Sequence, residues 1–161
     1  MPVRGRWSLA VLVAAICVVA LSGCERTLPV PASYRIVDGH VQIAVCTAMD
    51  ARRIGVQARG GALNSREWTK VWEARGAAEF ARGDVLDAQH PPAGMTTTVD
   101  TEVQLTAGAS LIISASGISR DDGYITGEFP VTEAALRGDR WTFWNGKHDS
   151  DPCNVRGGVR G

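Results

Sequence analysis

Apolar residues fall into three patterns along this chain: one unbroken run near the N-terminus, several alternating rows, and one short continuous stretch. The unbroken run, Leu9 to Leu21, is thirteen residues long. As a helix at about 1.5 Å per residue it reaches about 20 Å, short of a hydrocarbon core of roughly 30 Å. The clearest alternation flanks Asp38-Gly39, a dipeptide favoured in two-residue type I′ turns. That turn pairs Val37 with His40, Ile36 with Val41, Arg35 with Gln42 and Tyr34 with Ile43. Tyr34, Ile36, Val41, Ile43 and Val45 then share one face, and Arg35, His40 and Gln42 the other.

Further strands are expected at short spacing. Ile54, Val56 and Ala58 alternate with Arg53, Gly55, Gln57 and Arg59, and Val99 to Leu105 alternates in the same way. Ser110 to Gly117 holds Leu111-Ile112-Ile113, which suits a strand buried on both faces. Ile125, Phe129 and Val131 share a parity, and Pro130 marks an edge strand. Glu67 to Arg75 places Trp68 and Trp72 on one face, and its aromatic and β-branched content favours a strand. Trp141 to Trp144 is strand-like, but the polar residues after Asn145-Gly146 suit an open turn better than a returning strand. Helix signals are sparse: Thr132 can cap a single turn through Leu136. The expectation is an all-β domain, an antiparallel two-sheet sandwich, immunoglobulin-like in general architecture, with little helix.

The apolar run follows Arg4 and Arg6 and ends on Leu21-Ser22-Gly23-Cys24. Basic start, core of this length and small residues before a break are the parts of a secretory signal peptide. The last four residues resemble the lipobox of bacterial lipoproteins. That resemblance covers residues 1–24 and implies a diacylglycerol on Cys24 and cleavage before it. The organisation expected is a removed signal peptide over 1–23, a lipidated N-terminus and short tether over 24–33, and one domain over 34–161. Pro29 and Pro31 favour an extended tether. The chain is then held on the extracytoplasmic face of a bacterial membrane, because two acyl chains anchor stably where one does not.

Charge narrows the partners. Loss of Arg4 and Arg6 takes the 17 basic residues to 15 against 17 acidic ones, a net charge of about −2. No basic stripe remains to hold nucleic acid. Of four cysteines, Cys17 leaves with the signal and Cys24 carries lipid. Cys46 and Cys153, in an oxidising compartment, are expected as a disulfide. A zinc site using them with His40 and His148 lacks a close-spaced ligand pair, so no metal is expected.

Four tryptophans remain in the mature chain. Trp68, Trp72 and Trp144 are candidates for stacking on a cell-wall glycan, with Trp144 the most exposed, set against the plainer reading that they fill the core and its rim. Asp121-Asp122-Gly123 and Asp149-Ser150-Asp151 could offer oxygens to calcium, but turn formation is preferred. No nucleophile motif, phosphate loop or dinucleotide fingerprint occurs, so neither a catalytic residue nor a cofactor is assigned. The functional expectation is a lipid-anchored binding or accessory module for an envelope protein or cell-wall component. The alternatives are an envelope hydrolase with dispersed carboxylates and a metal-handling lipoprotein. Cys24→Ala is expected to leave the precursor uncut and unlipidated, visible as retained mass and loss of fatty-acid labelling; normal processing of that variant would refute the signal assignment.

Overall fold

The computed structural model describes residues 31–63, 66–117 and 124–154. Cys24, the signal segment and Asp121-Asp122-Gly123 lie outside them. The hairpin anticipated around Asp38-Gly39 joins β1 (Ala32–Val37) to β2 (His40–Val45) in the expected register, Val37 opposite His40 and Tyr34 opposite Ile43. Asp38 and Gly39 both take positive φ, 51° and 82°, as a type I′ turn requires. β1 starts before Tyr34, because Ala32 and Ser33 pair with Val45 and Ala44. Two residues assigned to the tether therefore belong to the sheet.

The chain continues through β3 (Met49–Arg59), β4 (Thr69–Phe80), β5 (Val85–Asp87), β6 (Met95–Asp100), β7 (Ser110–Ser116) and β8 (Tyr124–Pro130). A helical turn, α1 (Glu133–Arg137), follows, capped by Thr132 accepting from the Ala135 N–H as expected. β9 (Trp141–Thr142) and β10 (His148–Asp149) complete the described residues. Two antiparallel five-stranded sheets result, ordered β10-β9-β1-β2-β5 and β6-β4-β3-β7-β8 and packed face to face. The all-β two-sheet sandwich is thus the fold. Pro130 ends β8 at an edge, where its missing N–H costs no ladder bond.

The inward rows of both sheets form one core. Tyr34, Ile36, Val41, Ile43 and Val45 come from the first sheet; Ile54, Val56, Trp72, Leu111, Ile113 and Phe129 are among those from the second. Tyr34 bridges the layers: its ring meets Phe129 edge-on at 5.7 Å, and its hydroxyl donates to the Pro130 carbonyl at 2.6 Å. Burial drives the phenol pKa well above its ordinary value, against a smaller opposing effect from Thr142. A phenol buried this way needs its acceptor.

Four local expectations are corrected. Ser110 to Gly117 is not buried on both faces: Leu111, Ile113 and Ala115 point inward, while Ile112 is half-exposed. The row from Val99 to Leu105 is a strand only as far as Asp100, beyond which the chain leaves the ladder. Trp68 and Trp72 do not share a face. Trp72 opposes Val56 and Lys70 opposes Gln57, so Val71 is an extra residue in β4 that switches the parity. The polar segment after Gly146 does return, with His148 pairing with Thr142 and Asp149 with Trp141, because Phe143 and Lys147 close the turn through a backbone hydrogen bond. A second irregularity of β3 and β4 falls at Gly76, where φ is 142° and a Cβ would lie 2.0 Å from the Gly94 carbonyl oxygen.

Cys46, just past β2, is disulfide-bonded to Cys153 across a separation of 107 residues. The bond fastens the C-terminal segment to the end of the sandwich where β1 begins, and Ser33 supports it by donating to the Pro152 carbonyl at 2.7 Å. Closing a loop of about 100 residues is worth roughly 4–5 kcal/mol in the chain-entropy model. The double variant Cys46→Ala/Cys153→Ala should lose about that much in urea unfolding; stability unchanged from the parent would show that the loop closure contributes nothing.

Candidate functional site

The end of the sandwich away from the disulfide is not closed by side chains from the two sheets alone. β3 and β4 run 11 and 12 residues, against six each in β1 and β2, so the second sheet is the longer. Residues 101–109 act as a strap at this end. It begins with the Thr101 N–H donating to Val71 O at 2.8 Å, packs Leu105 against the core, and ends where Ala109 and Val131 bond. Between the strap and the Asp38-Gly39 turn lies a cleft of about 690 Å³. That volume is within the range of small-molecule and side-chain pockets, about 300–1,000 Å³.

Its apolar wall comes from Val41, Val56, Val71, Trp72, Ala88 and Leu105. Its polar rim carries Asp38, Asp100 and Glu102, with His40 and Gln104. No lysine or arginine lines it, so the cleft is acidic. His40 is exposed and hydrogen-bonds Gln89. Trp72 is 2% exposed, and among the described residues its indole N–H has no acceptor. A buried donor left unpaired costs about 1–3 kcal/mol, and each such group calls for an explanation.

On the opposite side of β4 sits a polar cluster. Glu73 faces outward yet is 2% exposed, enclosed by cations from two strands. Arg53 reaches Oε2 at 2.6 Å and 3.0 Å, Arg75 reaches Oε1 at 2.8 Å, and Lys70 reaches Oε2 at 3.2 Å. Thr98 of β6 donates to the Glu73 carbonyl and to Oε1, both at 3.3 Å. Burial pushes the carboxyl pKa up, but the donors from Arg75, Arg53 and Lys70 outweigh it and hold it at about 2. This is a locked carboxylate, the opposite of the raised pKa that a general acid needs.

The structure does not gather the tryptophans anticipated as ligand platforms. Trp72 is in the core and lines the cleft. Trp68 lies half-exposed just before β4, with the Arg59 guanidinium over its ring at 4.4 Å. Trp144 is half-buried in the β9–β10 turn and packs against the core, so it is less exposed than its parity suggests. Cys46 and Cys153 are bonded to each other, which removes both thiolates from the zinc alternative. His148 lies between Thr142 and Thr132, at 3.0 Å and 3.3 Å, away from His40 at the cleft. Burial is the largest of the effects lowering its pKa, followed by Arg137 and Arg140. The Asp149-Ser150-Asp151 segment acts as a turn: Asp149 accepts from the Asp151 N–H and Asp151 from the Cys153 N–H, each at 2.9 Å.

The cleft itself was not legible in the sequence. Its parts come from β2, β3, β4 and the strap, brought together by pairing across the sheets. The one available signal was Trp72 beside Val71, and only the parity switch gives it meaning. Compared with protein-family models, with curated proteins and with solved structures, the chain matches none.

Because the Glu73 pKa is lowered by folding, its contribution is present above the ordinary carboxylate range and is lost as pH falls from about 4.5 toward 2. Glu73→Gln should lower stability at pH 7 by on the order of 2 kcal/mol and flatten the loss of stability over that acid window. Urea midpoints measured from pH 7 to pH 2 test both; an unaltered acid limb would count against the ion cluster.

Proposed function

We propose that this protein is a lipid-anchored extracytoplasmic lipoprotein whose folded domain is a binding module, and that the end cleft is where it holds its partner. The observation that carries the reading is the acidic-rimmed cleft itself, with the half-buried Val71 and Leu105 on its apolar wall. An apolar group seated there would cover Val71 and Leu105, since Val41, Val56 and Trp72 are already buried. Apolar burial of this kind contributes about 25 cal/mol per Å².

Anchoring and binding fit together in space. β1 emerges at Ala32, opposite Val45 and next to the disulfide, so the tether enters at that end. The cleft is at the other end of β1 and β2, at their turn. Six residues of strand separate the two by roughly 17 Å. With Cys24 in the bilayer, the cleft would face away from the membrane, open to soluble or peripheral envelope components. The disulfide supports an oxidising compartment, in line with the signal peptide.

A photo-crosslinking amino acid placed at Gln104, on the cleft rim, should capture a reproducible partner in intact cells. Filling the cleft with Ala88→Trp should abolish the adduct, while the same cross-linker at Gln57 on the outer face should not give it. An adduct that survives Ala88→Trp, or none at all, would remove the cleft as the binding site.

A further inference from the structure

The strap has a second property besides its apolar contact with the core. The backbone from Glu102 to Leu105 makes no hydrogen bond to any described residue, although the residues before it lie in the β6 ladder. Glu102 and Gln104 are exposed; Val103 and Leu105 are half-buried. The segment therefore alternates like a strand and offers N–H and C=O groups along the rim of a cleft. Such an edge is a template for another chain. At most edges proteins deter pairing by lysine, proline or a covering element; here the strap carries one acidic residue and no proline or lysine.

We infer that an extended polypeptide segment of another protein, with apolar residues flanked by lysine or arginine, adds as a strand along residues 102–105 and places its apolar side chains in the cleft over Trp72. The inference rests on the cleft reading above and specifies the chemistry of its occupant. Main-chain pairing supplies sequence-independent affinity, and the pocket selects alternate side chains, as in other cases of strand addition. Three features favour this occupant over a sugar. Unpaired peptide groups on the strap match peptide groups. The wall is valine and leucine, and its single indole is 2% exposed, so it offers no open ring face for a sugar to stack on. Asp38, Asp100 and Glu102, with no cation in the lining, are complementary to basic flanking residues and deter acidic ones.

The test uses the full chain purified from cells and a capped heptapeptide, Lys-Thr-Leu-Thr-Leu-Thr-Lys, as probe. Titration calorimetry should show binding, and amide hydrogen exchange should slow at 102–105. Replacing both probe lysines by glutamate, or introducing Glu102→Lys in the protein, should weaken binding at least tenfold. In a strand, alternate N–H groups point to one edge. Of two probes, one N-methylated on the backbone of both leucines and one on the backbone of the flanking threonines, one should therefore lose at least tenfold and the other bind as the parent. If the probe binds and Ala88→Trp blocks it, but both methylated probes bind like the parent and exchange at 102–105 is unchanged, strand addition is refuted while the cleft stands as a binding site. If the probe does not bind at all, the inference falls; the Gln104 cross-link and its loss in Ala88→Trp then decide separately whether the cleft holds some other partner.

Discussion

The two sheets stay together because their inward rows share one buried apolar layer, and the side chains around it are placed by how faithfully each strand keeps its alternation. Where the alternation holds, as in β1 and β2, residues follow simple parity: Tyr34, Ile36, Val41 and Ile43 inward, Arg35 and Gln42 outward. Where it slips, the outcome changes. The extra residue at Val71 sends Trp72 into the core and leaves Trp68 outside under Arg59. Tyr34 adds a directional element to this otherwise non-directional layer, because its hydroxyl must meet the Pro130 carbonyl on the opposite sheet. That requirement limits how far the sheets can slide past one another.

β4 carries the two most unusual side chains of the structure next to each other. Trp72 turns inward with an unpaired donor, and Glu73 turns outward with more cationic partners than one carboxylate needs. Glu73 links β3, β4 and β6 from outside through Arg53, its own-strand cations and Thr98. It does so at the point where the β4–β6 register shifts after Glu73. The cluster therefore holds the irregular part of the sheet from which the strap departs. An ion cluster on the outer face and a buried indole on the inner face thus meet in one stretch of backbone; in the proposed reading the cluster supports the cleft wall from behind.

The sandwich is also polarised along its strands. One end gathers the start of β1, the disulfide and the last described residues; the other gathers the hairpin turn, the strap and the cleft. The first end is covalently braced and the second is closed by a loop in which residues 102–105 make no backbone hydrogen bond to a described residue. In the proposed arrangement the braced end faces the membrane and the open end faces the envelope, so tethering and binding do not compete for the same surface.

Much of this was legible in the chain before folding was considered, for local reasons. Asp38-Gly39 dictates its own turn, and the turn dictates the register of β1 and β2. Thr132 caps its helical turn through a neighbour three residues away, and Pro130 can only sit at an edge. Among the described residues Cys46 and Cys153 have only each other. What failed was parity across a register shift, as at Trp68 and Trp72, and the length of a strand whose alternation continues after the chain has left the ladder, as from Thr101 to Leu105. The candidate site shares that character. Asp38, Trp72 and Glu102 are far apart in the chain: β4–β6 pairing brings Trp72 near Glu102 and inter-sheet packing brings Asp38 to both, just as Arg53 meets Glu73 only through cross-strand register. Local steric and hydrogen-bond preferences are written into adjacent residues and can be read there; a cleft between two sheets is decided by which strand ends first, and that is a property of the tertiary structure alone.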